Sequence, residues 1–202
     1  MARILNQPML DYAAARQRGD RRLAWRQADG AKLPFADALF DAVAWQFGAM
    51  FFPDKVEAYR EARRVLRPGG LYVFNIWDRI ADNEFADVVT EAVAALFPDD
   101  PPRFLARTPH GHHDKERIRA DLAAAGFAAI SIDTVQFMSR AQTALDPAIA
   151  YCQGTPLRNE IEARDPAGLD RATKVAAAAL ERRFGPGPTA GRIGAHVITA
   201  AR

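Results

Sequence analysis

The feature that most constrains this chain is a change of hydrophobic period between residues 26 and 70. Leu39 to Trp45 is apolar almost throughout, broken by Asp41, as in a strand covered on both faces. From Pro53 the pattern lengthens. Val56, Tyr59, Ala62 and Leu66 recur at helical spacing with charges between them, and Arg67-Pro68-Gly69-Gly70 ends the run. Leu71-Tyr72-Val73-Phe74-Asn75-Ile76-Trp77 then reads as the plainest strand in the sequence. A strand, a helix and a second strand in that order predict a right-handed crossover between parallel neighbours.

The flanking residues extend the alternation. Ile4-Leu5 reads as the tail of a strand, and Asn6-Gln7-Pro8-Met9 opens a helix, with Pro8 in the first turn where its missing N–H is not needed. Leu23 to Ala28 alternates as an edge strand would. Phe85 to Phe97 is helical, and His110-Gly111-His112-His113 leads into a helix from Asp114 to Ala125 capped by Gly126. Ala128 to Phe137 alternates again. From 139 to 190 nothing resembles a strand: 146–164 and 168–184 read as two helices split at Asp165-Pro166. Arg192 to Ala200 returns to strand. The last two strands are joined without a full crossover, which suits an antiparallel pair.

Composition excludes several classes. Of 202 residues, 27 are Lys or Arg and 25 are Asp or Glu, with the arginines scattered among acids rather than gathered with aromatics, so no nucleic acid partner is expected. The single cysteine, Cys152, rules out an internal disulfide and suits a reducing, cytoplasmic location; it reads as a small buried apolar residue. No apolar run reaches membrane-spanning length, so no membrane partner is expected either.

The order Ala28-Asp29, Leu33-Pro34-Phe35, Asp41, Gln46-Phe47-Gly48 and Arg67-Pro68-Gly69-Gly70 resembles the middle of a class I S-adenosylmethionine-dependent methyltransferase of the small-molecule type 11 kind. The resemblance implies an α/β fold: a Rossmann-like methyltransferase sheet lacking the first strand and helix, with a helical lid inserted before the last strand. Residues 1–138 and 191–202 would form the incomplete core and 139–190 the lid. It implies S-adenosylmethionine as cofactor and a small molecule as methyl acceptor. The family's Gly-x-Gly-x-Gly turn, on its central strand, has no counterpart, since no glycine precedes Gly19. A shortened methyltransferase, impaired by that lack, and a natural remnant with another role both fit.

The resemblance also places the cofactor. Asp29 would accept from the adenine amino group and the N–H of Gly30 would face the ring, although Asp-Gly is also a common turn. Gln46, Phe47 and Gly48 would approach the amino-acid part, or else form a simple strand-to-helix bend. Asn6 would reach the ribose and Met9 would pack on adenine, or both would merely open a helix. The family's ribose-binding acid corresponds to Ile4, which cannot accept a hydrogen bond. His110 or His112 is the expected general base, weighed against a pocket-lining loop. The His spacing matches no structural zinc pattern, and no metal is expected. Asn75, alone in an apolar strand, must find a hydrogen-bond partner. A competing reading is a non-catalytic interaction subunit. With the central strand missing, the sheet would fall into two pieces whose free edges invite a homodimer.

Overall fold

A computed structural model describes residues 6–202, together with residues 2–4 by backbone alone. Two parallel strands open it: β1 (Ala2–Ile4) and β2 (Trp25–Gln27), joined by helix α1 (Gln7–Arg16). Next come β3 (Phe40–Gln46), α2 (Lys55–Val65) and β4 (Leu66–Trp77), with β3 and β4 parallel as the crossover requires. Helices α3 (Glu84–Ala94), α4 (Phe104–Arg107) and α5 (Lys115–Ala124) lead to β5 (Ile130–Ala141). Three more helices, α6 (Leu145–Cys152), α7 (Leu157–Arg164) and α8 (Leu169–Phe184), precede β6 (Thr189–Ala201).

The strands form two sheets, β1-β2 and β3-β4-β6-β5, and β6 runs antiparallel to both of its neighbours. This is the α/β arrangement the sequence predicts, including the antiparallel final pair. No strand pairing joins the two sheets, so β1 and β3 each have one partner among the described residues.

The sheet of four is covered on one face by α2 and α5. Tyr72, Phe74 and Ile76 alternate onto that face from β4 and meet Tyr59 of α2, Ile118 and Leu122 of α5, Phe127 and Ile198. The aromatic rings form a continuous cluster, with centroids 4.8 Å apart for Tyr72 and Phe74 and 5.4 Å for Tyr72 and Phe127. Such pairs contribute about 0.5–1.5 kcal/mol each beyond area burial. The opposite face is barer. Ala42, Ala44 and Gln46 of β3 are exposed, as is Leu71 beside Ala42 on β4. The apolar run of β3 predicts cover on both sides; it has cover on one, because α2 and α5 both lie over the Val43 and Trp45 side.

A second core sits apart from the first. Phe85, Val89 and Val93 of α3 and Phe104 and Leu105 of α4 pack with Leu157, Ile161, Ala172, Ala176 and Leu180 of the helices between β5 and β6. α3 and α4, within the residues 1–138 expected to form the core, thus pack on the helices between β5 and β6. The run 146–164 is two helices rather than one. The N–H groups of Gln153 and Gly154 close the first turn back to Ile149, and the Thr155 hydroxyl donates to Tyr151 O and accepts from Leu157 N–H. Pro156 follows that break, where its missing N–H is not needed. The strands bounding the cap run longer than their sequence patterns, to Ala141 and from Thr189. Pro68-Gly69-Gly70 is no turn either; it lies inside β4, where Gly69 N–H donates to Arg202 O and Gly70 O accepts from Arg202 N–H, each at 3.0 Å.

The loop from β2 to β3 is pinned to α2 by Arg64. Its guanidinium donates to Leu33 O at 3.0 Å, Phe35 O at 2.8 Å and Asp37 at 2.6 Å, while Glu61 accepts from Arg64 and from Leu33 N–H. The Arg64 hydrogen bond holds the Glu61 carboxyl below the usual carboxylate range. Replacing Arg64 by Met is expected to leave the sheet of four folded. It should release the loop, raising amide hydrogen exchange at residues 33–39 well above that of the β4 amides; unchanged exchange there would contradict the role.

Candidate functional site

Parallel strands bring ligands to their carboxyl ends, and both halves of this fold present such an end. At the end of β2, Asp29 accepts from Ala31 N–H at 2.9 Å and its carbonyl accepts from Lys32 N–H at 3.1 Å, so Asp29-Gly30 is a turn. Gly30 is required there by space. A Cβ built on it would stand 2.6 Å from Phe52 Cζ.

At the end of β3, Gln46-Phe47-Gly48 leaves the strand by an unusual route. Phe47 has φ of +49°, the left-handed region that L-residues other than Asn, Asp and Gly seldom enter. Two acceptors from one residue hold it there: Phe47 N–H donates to Asn75 Oδ1 at 2.9 Å and to Asn75 O at 3.2 Å. The Phe47 ring lies flat on Trp77, with centroids 3.9 Å apart and planes 17° from parallel. The left-handed backbone costs about 1–2 kcal/mol; a stacked pair of this kind returns about 0.5–1.5 kcal/mol, and the hydrogen bond about 1 kcal/mol. Around Gly48, by contrast, a Cβ would meet nothing within 4 Å, so the backbone is open on that side.

The two strand ends adjoin. The Gly30 turn rests on Phe52, four residues past Gly48, and Phe52 lies 4.8 Å from Trp45 of β3. Asp29 and Gly30 therefore share one edge of the molecule with the 46–48 bend. Asn6 and Met9 stand differently. Asn6 is exposed and caps α1, its side chain accepting from Met9 N–H at 3.2 Å, and Met9 is 58% exposed. The Ile4 side chain and Leu5, where the family's ribose-binding acid would be sought, lie outside the described residues.

The histidines form a buried network beside the bend. His110 Nδ1 is 2.8 Å from Asp78 O, which can only accept, so Nδ1 carries the proton and Nε2 keeps its lone pair. Its ring centroid is 6.3 Å from that of Trp77, placing His110 behind the Phe47 stack. His113 donates from Nδ1 to His110 O at 2.7 Å. His196 of β6 is 3.2 Å from the Asp78 carboxylate and 3.1 Å from His113 O. His112 turns the other way. Its Nε2 meets the Tyr59 hydroxyl at 3.0 Å, and the residue lines a cavity of about 370 Å³ between α2 and α5. The structure thus sets His110 near Trp77, the platform of the bend, and His112 in the cavity that Met50, two residues past the bend, also lines. Among the described residues no group of three or more His, Cys, Asp and Glu could hold a metal ion. Cys152 is buried, and burial pushes its thiol up to about 11, so it is no nucleophile at neutral pH.

Two features here escaped the sequence. Trp77 as the platform for Phe47 depends on register between β3 and β4, which no local pattern states. The polar lining of the His112 cavity comes from residues far apart in the chain. Asn75 left a signal, as a polar residue in an apolar strand.

Residues 4–74 match the family described as "Methyltransferase domain". Over 110 residues the chain is 33% identical to the ubiquinone/menaquinone biosynthesis C-methyltransferase UbiE of Pseudomonas aeruginosa strain LESB58, a match covering 50% of this chain and 43% of that protein. Among solved structures, a Bacillus halodurans C-125 protein described as a candidate methyltransferase superposes with a TM-score of 0.60 at 18% identity, covering 99% of this chain and 81% of that one. Haemonchus contortus phosphoethanolamine N-methyltransferase 2 in complex with S-adenosyl-L-methionine gives 0.53 at 15%, covering 99% and 42%. The fold is therefore the Rossmann-like fold of the class I S-adenosylmethionine-dependent methyltransferases, and residues 4–74 resemble them in sequence as well. The matched stretch spans less than half of the UbiE protein.

Burial holds His112 well down, to about 4, and also lowers His110 and His196. A histidine kept neutral in the fold binds fewer protons than the unfolded chain does. Its stabilising effect is complete above about pH 6.5 and is lost as pH falls towards 4. Urea denaturation between pH 7 and 5 should show falling stability, with a shallower slope in His112→Gln; an identical slope would contradict the assignment.

Proposed function

We propose that the chain is a methyltransferase domain that uses S-adenosylmethionine and acts on a small-molecule acceptor. The observation that carries this reading is the adjacency of the Asp29-Gly30 turn to the Gln46-Phe47-Gly48 bend, the latter held open by Asn75. The residues present fit part of the cofactor. Asp29 is an exposed acceptor for the adenine amino group, Phe52 forms the wall beneath, and the bare backbone at Gly48 admits the amino-acid end within reach of Gln46. Asn6 would reach the ribose and Met9 would pack on adenine, as the resemblance implies. When bound, the cofactor supplies a methyl group on a positively charged sulfur, ready for in-line displacement. The protein's part is alignment of the acceptor and removal of its proton, for which the lone pair on His110 Nε2 is better placed than His112.

Residues 1–18 contain no glycine, so these residues supply no glycine turn for the cofactor's methionine part. Residues 1–202 alone should then bind S-adenosylmethionine more weakly than micromolar, with NMR shifts gathered at residues 29–31 and 46–49. Asp29→Ala should abolish those shifts. Micromolar affinity by calorimetry, or shifts elsewhere, would refute this reading.

A second reading rests on the divided sheet. β3 has a free edge and an exposed alanine face, and a strand in that position recruits another chain. As an interaction subunit, the chain pairs with a second copy along β3. Light scattering should then give twice the monomer mass, and Ala44→Lys on the exposed face should reduce it to one; a monomer at all concentrations overturns this reading.

A further inference from the structure

The His112 cavity lies on the α2 and α5 side of the sheet, and its lining starts at Met50 and Pro53, just past the 46–48 bend. Arg117 is taken by Asp121 at 2.8 Å and Arg107 by Glu160 at 2.5 Å. The Asp54 carboxylate is occupied capping α2 through Glu57 N–H at 2.9 Å. Lys55 is left over: its ammonium donates to Phe52 O at 3.1 Å and has no carboxylate within ion-pair range among the described residues. Counting Lys55, Arg107 and Arg117 against Asp54, Asp121 and the Glu160 that pairs Arg107, the charges balance, and Lys55 is the cation of the lining held in no ion pair. Burial holds the Lys55 ammonium below the usual lysine range, a cost that an anionic partner would relieve.

Opposite stands His112, 8% exposed. One ring nitrogen is engaged by Tyr59; Nδ1 has no partner among the described residues, and it is not among the buried atoms sealed off from solvent. Its way out is the cavity it lines. A buried imidazole with one open nitrogen, beside a partly buried cation whose nearest acid, Asp121, is already paired with Arg117, makes a two-point receptor for an anion. A volume of about 370 Å³ exceeds what one anionic group needs and falls in the range of small-molecule sites.

We infer that this cavity binds the anionic group, a carboxylate or a phosphate, of a small molecule, with Lys55 as its charge partner and His112 as a hydrogen-bond donor. In the tautomer this requires, the Tyr59 hydroxyl donates to Nε2 and Nδ1–H points at the ligand. The site does not depend on the methyltransferase reading, because no cofactor takes part in it.

The test is an NMR titration of the whole chain at pH 7 and constant ionic strength, with inorganic phosphate in one series and acetate in another. Saturable shifts at Lys55, Gly111, His112 and Arg117 are expected in at least one series, and the series that saturates names the group. Lys55→Met should weaken binding about tenfold or more, and Lys55→Arg should largely restore it. Lys55→Gln serves as the neutral variant if Lys55→Met fails to fold. No saturable shift in either series, or undiminished binding in the neutral variant, overturns the inference.

Discussion

Two pieces of sheet that share no strand pairing among the described residues are tied, through the loop between β2 and β3, by the guanidinium of Arg64. It binds two carbonyls and a carboxylate from the loop between β2 and β3, and it does so from α2, the helix that fixes β3 against β4. Glu61 orients it, and the pair is only partly exposed to solvent, with side-chain accessibilities of 31% and 13%. An ion pair so placed is worth more than a surface one because water screens it less and its remaining donors are all used. Were the loop free, the Asp29-Gly30 turn would have little besides the Phe52 ring to keep it beside the 46–48 bend. The adjacency on which the cofactor reading rests is thus maintained at a distance, by residues that touch no ligand.

The site itself shows a division of labour between neighbouring strands. β3 provides the bend, but β4 decides its shape, because Asn75 and Trp77 engage the backbone and the ring of Phe47 respectively. A strand that bears one polar side chain among apolar ones looks, in isolation, like a flaw in packing. In the sheet it is a second acceptor, beside its own carbonyl, for the backbone N–H of the left-handed Phe47.

Much of the architecture was legible because its signals are local. The periods of α2 and β4, the helix starts at Asn6 and Asp114, and the left-handed glycine at Gly126 all depend on a few consecutive residues. What the sequence misjudged depends on distant partners. The alanines of β3 suggest burial on both faces, yet whether a face is covered is settled by helices elsewhere. The break at Thr155 in the cap is made by a hydroxyl bonding to the chain on either side of it, which helical periodicity does not register. The packing of α3 on α8 joins residues some ninety apart in the chain, which no local pattern states. For the candidate site, the strand tips were legible and so was the role of Asn75. The parting of His110 and His112 into different surroundings was not, since adjacent loop residues can face opposite ways.

The place of β6 between β4 and β5 has a consequence for the order in which this protein can be made. Residues 130–141 emerge from the ribosome about fifty residues before the strand that flanks them, and until residues 189–201 arrive they have no partner in the sheet. The nascent chain must therefore carry an unpaired twelve-residue ribbon, with Phe137 and Met138 facing water, through the synthesis of the whole cap. Early assembly of the cap helices against α3 shortens the search that follows, bringing the ends of β5 and β6 together before the last residues close the gap.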